Sequence, residues 1–396
     1  MNQKHLKEKM KGLTILIGTK NRANGRDGYP LNWILESIQN QTYIPKVLVM
    51  DDYSTTDQSI KTKELCEKNG FDYHRSKKAM GCSGIRREAL NKITTPWHLI
   101  LDDDLLFYNS KTIENILQVL DDTKEKDLDL GALILPAYDR VPFPTRIVPK
   151  NKIGKIDVKN ALTYWNLSSF PKEFFKEKIK PILIEIAGSY GVYNTELLKK
   201  LGGFRDGGQT DYAMESELAW RIRKEGKNIY YYPGLNTGSF HLRFGIKSDI
   251  SLEEFVGKID DENKRFVENY FQSDIREIMT NIKIGDKSLE KMVEISNENF
   301  NGTGCRVNEK QWVQERIENE LGQIIAHYPT RNLPFAVKNY VFRLFNHAKD
   351  FRISRRRDSL VNPCIKDDSF DRKIQNKAII KGLLGGIKKG IKWKKN

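Results

Sequence analysis

The stretch Pro96-Trp97-His98-Leu99-Ile100-Leu101-Asp102-Asp103-Asp104 decides how the rest of the chain is read. Its apolar half has the composition of a buried strand. Three carboxylates at the carboxyl end of such a strand are not there for packing. Buried unpaired acids are costly, and like charges in a row repel one another. A divalent cation relieves both problems, because Mg²⁺ and Mn²⁺ prefer carboxylate oxygen and keep waters and substrate phosphates in their shell. In open α/β sheets, ligands bind just beyond the carboxyl ends of the strands. The stretch therefore points to a metal-diphosphate site. The plainer alternative is a solvated loop with three surface acids.

Working outward, two earlier apolar runs end in the same way. Leu13-Thr14-Ile15-Leu16-Ile17 leads into Gly18-Thr19-Lys20-Asn21-Arg22, and Lys46-Val47-Leu48-Val49-Met50 into Asp51-Asp52-Tyr53-Ser54. Helical patterns lie between them, and a basic helix opens at Gly81 and carries Arg86 and Arg87. Strands alternating with helices at this spacing predict βαβ units and a mostly parallel, Rossmann-like α/β sheet. Right-handed crossovers then bring the loops after Ile17, Met50 and Leu101 to one edge. Thr19, Asn21, Arg22, Asp52 and Asp104 are expected to converge there. Further strands are predicted over 131–135, 182–188 and 228–232. A helix is predicted over 213–226, with Met214-Glu215-Ser216-Glu217 on its first turn, and Gly238-Ser239-Phe240-His241 closes the domain.

With 396 residues the chain has room for a catalytic domain and an appendage. The expected division is a catalytic domain over 1–250, a charged helical region over 251–345 and a basic tail over 346–396. A net charge of +15 calls for a polyanionic neighbour: nucleic acid, an anionic membrane or a nucleotide-linked substrate. Cys66, Cys82, Cys305 and Cys364 are widely spaced, which argues against a disulfide framework or zinc site and favours a reducing compartment. The start of the chain lacks the apolar core of a signal peptide, and no stretch reaches membrane-span length. The expected location is the cytoplasm, peripheral to the cytoplasmic membrane face. Over 377–396, Ile379, Ile380, Leu383, Leu384, Ile387 and Ile391 share one sector of a helical wheel, with Lys377, Lys381, Lys388, Lys392 and Lys395 on the other side. That is the pattern of an amphipathic helix lying in a membrane interface. Gly382, Gly385, Gly386 and Gly390 weaken it in water, so the helix is expected to form only when bound.

With these residues in place, the chain resembles an inverting, non-processive glycosyltransferase of family 2 with the GT-A fold. The resemblance covers about residues 12–245. Thr14 through Arg22 resembles the first strand and nucleotide loop, with Gly18 where Pro is common. Ser37-Ile38-Gln39-Asn40-Gln41-Thr42 resembles the S-x-x-x-Q-T/S segment, and Val49 through Asp57 resembles V-D-D-G-S-x-D. Gly81 through Leu90 resembles G-x-x-x-A-R-N-x-G-L, with Arg87 replacing Asn. Leu101 through Asp104 resembles the D-x-D motif, and Gly202-Gly203-Phe204 with the following acidic helix resembles G-G-F…E-D.

The resemblance implies a nucleotide-sugar donor held by Thr19, Asn21, Arg22, Asp52 (on the nucleobase), Arg86, Asp102 and Asp103. It implies Mn²⁺ or Mg²⁺ on Asp102 and Asp104, with His241 as a third ligand. Glu215 takes the place of the catalytic base, although Met214 replaces the Glu before it; Asp211 and Glu217 are the runners-up. Alternatives stand beside each assignment. Arg86 could be a solvated helix face, Glu215 an acid favoured by the helix dipole, and His241 an ordinary closing residue. Tyr164 and Trp165 suit sugar stacking and core packing equally. The Q-x-x-R-W motif of processive synthases is missing after Glu215, which implies one or a few transfers per acceptor.

The activity implied is hexosyltransferase-type (EC 2.4). A sugar moves from a nucleotide-sugar, with UDP-sugars favoured, to a hydroxyl of a glycan or lipid-linked acceptor in cell-surface polysaccharide biosynthesis. The anionic membrane surface is then a partner of the tail. One alternative is transfer to nucleic acid or protein, with the tail binding polyanion. Another is a non-catalytic nucleotide-sugar-binding module.

Overall fold

The apolar runs become strands where the pattern places them. β1 (Leu13–Thr19), β2 (Lys46–Asp51), β3 (Asp72–Arg75) and β4 (Trp97–Asp102) are mutually parallel in the order β3-β2-β1-β4. Register places Thr19 level with Asp51, and Gly18 level with Asp102. The three loops therefore leave the sheet at one edge. The computed structural model describes residues 12–24, 31–107, 109–125, 129–135, 137–139, 181–184, 188, 190–208, 214–232, 237–241, 283–284, 287–288, 309–328, 330–346 and 372–395.

The chain continues through the short β5 (Leu105–Phe107), β6 (Leu130–Ile134), β7 (Ala137–Asp139), β8 (Ile182–Ile184), β9 (Gly191–Asn194), β10 (Asn228–Tyr231) and β11 (Ser239–His241). The main sheet extends as β4-β9-β6-β10-β8, with β9 and β8 antiparallel to their neighbours. A smaller sheet, β5-β11-β7, sets the backbone of His241 opposite Leu105, next to the acidic turn.

The helices of this region are α1 (Leu31–Gln39), α2 (Thr56–Asn69), α3 (Gly81–Ala89), α4 (Thr112–Glu125), α5 (Thr195–Lys200) and α6 (Met214–Lys224). Successive strand residues point to opposite faces, and both faces are covered. Ile15, Ile17, Val49 and Leu101 pack with α1 and α4, whereas Leu16, Met50 and Ile100 pack with α3 and α6. A strand buried on both sides is what an uninterrupted apolar run specifies.

The strand predicted over 182–188 is described only as Ile182–Ile184, and the helix over 213–226 runs Met214–Lys224. Residues 251–282 and 289–308 of the expected helical region, together with Tyr164, Trp165 and Asp211, lie outside the described residues. A small hairpin, β12 (Lys283–Ile284) with β13 (Lys287–Ser288), has no counterpart in the sequence-based expectation.

Beyond it come α7 (Glu309–His327), α8 (Leu333–Asn346) and α9 (Arg372–Lys395). The glycines of the tail correct the sequence-based expectation. They do not leave the segment waiting for a membrane to fold it; they form the seam along which α9 packs on α7. A Cβ built on Gly390 would stand 2.5 Å from Ile325 Cβ, and one on Gly386 2.8 Å from Leu321 Cβ. Only glycine lets two helix backbones come this close. The apolar sector read on the wheel also divides. Ile379 and Leu383 pack into the cluster around Ile317, Leu321 and Ile324, while Ile380, Leu384, Ile387 and Ile391 face solvent. Trp393 ties the pair to the first region, packing beneath the Arg205 guanidinium at 5.5 Å. No described helix is long and apolar enough to cross a membrane.

Candidate active site

The loops after β1 and β2 are laced together. Asn21 N–H donates to Ser54 Oγ (2.8 Å), and Thr55 N–H donates to Asn21 Oδ1 (2.8 Å). Asn21 and Tyr53 are the two described non-glycine residues with positive φ, at 56° and 58°. Asn adopts this region readily, but for a bulky residue it is strained, and such strain gathers at functional sites. Tyr53 stands where the D-D-G-S motif has glycine. Its ring is 48% exposed, with the Arg75 guanidinium 4.8 Å from the ring centroid. Sequence reasoning passed over Tyr53; the available signal was an aromatic residue in a glycine's place.

Asp51, fully buried, accepts from Ser54 N–H (2.8 Å) and the Tyr73 hydroxyl (2.7 Å), and so shapes the turn. Asp52 accepts from Met80 N–H (2.6 Å), Gly81 N–H (3.2 Å) and Lys20 Nζ (3.2 Å). It lies at the end of β2 as expected and also fastens this turn to the start of α3, where free N–H groups favour an anion. Thr19 is buried at the end of β1.

Three residues from three separate motifs meet at one guanidinium. Arg86, on α3 and 5% exposed, donates Nη2–H to Asp102 Oδ1 (2.5 Å) and Nη1–H to Glu215 Oε1 (3.2 Å). Its guanidinium carbon lies 5.3 Å from the centroid of the Phe204 ring. Arg86 is thus neither a solvated helix residue nor free to await a phosphate. Burial pushes the Glu215 carboxyl above its ordinary range; Arg86 opposes this without overcoming it, and Asp102 adds to the rise. On the same acidic turn, Asp103 faces Arg22 at 3.6 Å. Burial, against the pull of Arg22 and helped by Asp104 and Asp102, pushes its carboxyl up to about 6.

Asp102, Asp103 and Asp104 set three carboxylates on one turn, an arrangement that a divalent cation relieves. Among the described residues, no three His, Cys, Asp or Glu side chains form a ready-made cage. Mg²⁺-type ions are commonly held by one or two carboxylates plus substrate phosphates, so Asp102 and Asp104 fit that mode. The β5–β11 pairing brings the backbone of His241 alongside.

Glu217 is taken out of the running as a base. It is fully buried and accepts from Arg221 Nε (3.0 and 2.9 Å) and Nη2 (2.7 Å), and from His327 Nε2 (3.1 Å), with Arg205 Nη1 at 3.2 Å. Burial alone would push its carboxyl up; His327, Arg221 and Arg205 reverse that and hold it below the ordinary range. Arg221 also donates to the carbonyls of Leu201 (2.6 Å) and Gly203 (2.7 Å). Arg87, the departure from the family's Asn, donates to the Phe204 carbonyl (2.8 Å). Gly203, at φ 70°, packs so closely that a Cβ would meet Leu90 Cδ1 at 2.8 Å. The Gly-Gly-Phe turn thus carries Phe204 beneath Arg86.

Residues 14–202 match the family model described as glycosyl transferase family 2. Over these residues the chain is similar to that family. Its mostly parallel sheet with helices on both faces is the GT-A arrangement. Solved structures similar to it include S. aureus TarS 1–349 in complex with UDP-GlcNAc, at 16% identity and TM-score 0.46, covering 86% of this chain and 92% of that one. Another is S. aureus TarS at 16% identity and TM-score 0.45, covering 84% of this chain; the present chain spans about half of it (53%). A third is the mannosyltransferase PcManGT from Pyrobaculum calidifontis in complex with GDP-Man and Mn²⁺, at 14% identity and TM-score 0.40, covering 97% and 92%. No curated protein sequence matches this chain.

Proposed function

We propose that this chain is a metal-dependent, inverting, non-processive glycosyltransferase. It moves a sugar from a nucleotide-sugar, with UDP-sugars favoured, to a hydroxyl of a glycan or lipid-linked acceptor, the substrate class of cell-surface polysaccharide assembly. The observation that carries this reading is the bridge from Asp102 through Arg86 to Glu215. It sets a leaving-group pole and a proton-accepting pole on one buried cation.

Asp102 and Asp104, with His241, would hold Mn²⁺ or Mg²⁺, and such an ion when bound supplies charge stabilisation to the departing diphosphate. The chain's own residues do the rest. The Asn21–Ser54–Thr55 lacing fixes the two loops that receive the nucleoside. Asp52 and the Tyr53 ring meet the nucleobase. Arg22, with Asp103 beside it, faces the same edge. Arg86 aims the Glu215 carboxylate and supplies positive charge next to the diphosphate. Glu215 takes the acceptor proton as the acceptor oxygen bonds to the anomeric carbon and the bond from that carbon to phosphate oxygen breaks. Its raised pKa makes it a stronger base than an ordinary carboxylate.

The test is donor binding and slow donor hydrolysis across a panel of sugar nucleotides with Mn²⁺, in wild type, Asp104→Ala and Glu215→Gln. The reading expects one donor to be bound and hydrolysed. Asp104→Ala should abolish its binding, and Glu215→Gln should retain binding without turnover. A chain that binds no sugar nucleotide in the presence of metal overturns it.

A further inference from the structure

We propose that the outer face of α9 docks on an anionic lipid surface. Among the described residues, the exposed large apolar side chains are Tyr53, Ile60, Phe335, Ile380, Leu384, Ile387 and Ile391. Four of the seven lie on α9, at 55%, 57%, 43% and 49% exposure respectively. Their spacing of four, three and four residues puts them in one stripe, within about 60° of helix surface. The stripe points away from α7, because Gly382, Gly386 and Gly390 occupy the opposite side in contact with it.

Three features of α9 select the occupant. Its 24 residues hold Arg372 and eight lysines and no acid. Lys381, Lys388 and Lys392 are exposed beside the stripe, so the cations border the apolar strip. An apolar stripe edged with cations matches the boundary between anionic headgroups and acyl chains, where hydrophobic insertion and charge attraction add. A polyanion such as duplex DNA would use the lysines and leave four aliphatic side chains in water.

The face is also held rigidly outward. Gly seams, Trp393 and the Lys389 Nζ bond to Asn319 Oδ1 (2.6 Å) fix α9 on α7. Asn319 in turn donates to the Gly207 carbonyl (2.9 Å), in the loop that leads towards α6. Docking this face therefore restrains the same body that carries Glu215, independently of which donor the site accepts.

The experiment is co-sedimentation of the full chain with vesicles of neutral lipid, or of neutral lipid with phosphatidylglycerol, alongside duplex DNA binding and light-scattering mass. Wild type should partition onto the anionic vesicles. Leu384→Asp/Ile387→Asp should lose roughly tenfold or more of that partitioning with its melting temperature unchanged, since both positions are exposed. Lys381→Glu/Lys388→Glu should abolish the preference for anionic over neutral lipid. The proposal is overturned if wild type ignores anionic vesicles, or if the Leu384/Ile387 variant binds them like wild type. Preference for DNA over vesicles overturns it, as does a dimer that the same variant dissociates while vesicles are left unbound.

Discussion

Two carboxylates two residues apart on α6 occupy opposite surroundings. Glu215 shares Arg86 with Asp102, keeps 24% of its side chain exposed and is pushed above the ordinary carboxylate range. Glu217 is sealed, surrounded by Arg221, Arg205 and His327, and held below that range. The difference separates a group that can change its protonation from one that cannot. A carboxylate saturated with cations and closed to water is an anchor. One that shares a single cation at an open edge is available for chemistry.

Exchanging the two should therefore produce opposite losses. Glu217→Gln leaves the buried Arg221 and the partly buried Arg205 without their counter-charge, and should lower unfolding free energy by about 3–5 kcal/mol. Glu215→Gln should cost under about 1 kcal/mol of stability, because Arg86 keeps Asp102, yet reduce turnover roughly a hundredfold to ten-thousandfold. Denaturant unfolding and nucleoside diphosphate release, measured on both variants, decide the matter. If Glu217→Gln unfolds like wild type while losing turnover, Glu217 is the base and Glu215 the anchor.

Acid should separate the clusters in the same sense. Glu217 has a depressed folded pKa, so its stabilisation is present above its unfolded value and lost as pH falls through the folded one. His327 is kept neutral by burial, donating through Nε2 while its buried Nδ1 has no hydrogen-bond partner. The unfolded chain takes up that proton first, so His327 removes stability as pH falls below about 6.5. Glu215 has a raised folded pKa, and its contribution runs the other way, lost as pH rises through that value. As the proposed base Glu215 must be ionised, so turnover should rise as pH passes through that same raised value. His327→Gln should flatten the stability profile between about pH 6.5 and 5 while leaving the acid limb of turnover in place.

The contrast also marks where sequence reading stops. The strand ends were legible because an apolar run closed by acids has few physical uses, and Thr19, Asp52 and Asp102 lie where that argument put them. Choosing between Glu215 and Glu217 by environment was out of reach. The histidine that seals Glu217 lies 110 positions away, on a helix whose packing the local pattern does not specify. The α9 glycines were legible as weak helix formers and illegible as a seam, since only the position of α7 gives them a purpose. Tyr53 was hidden because a tyrosine in a turn predicts nothing until its φ is known.

The seam is open to a direct challenge. Ala is the better helix former by about 1 kcal/mol, so Gly390→Ala would stabilise a free tail. On α7 the added Cβ would stand 2.5 Å from Ile325 Cβ, and separating the helices should cost about 1–3 kcal/mol. Thermal unfolding that moves upward shows that α9 does not pack through this seam.

Tyr53→Gly carries the smallest expected effect, because it has two parts that nearly cancel in stability. Removing the tyrosine relieves a left-handed residue of about 1–2 kcal/mol of strain, and introducing glycine returns roughly 0.5–1 kcal/mol through the freedom of the unfolded chain. Unfolding should therefore change little. Donor binding should change more, since an exposed ring backed by Arg75 is placed to stack on a base, worth about 0.5–1.5 kcal/mol, or roughly two- to tenfold in Kd. Tyr53→Phe should keep the affinity that Tyr53→Gly loses. Binding of inorganic pyrophosphate, which has no base, should be the same in all three proteins. If pyrophosphate weakens alongside the nucleotide, the tyrosine acts by shaping the loop rather than by offering its face, and the strain at φ 58° is the feature that matters.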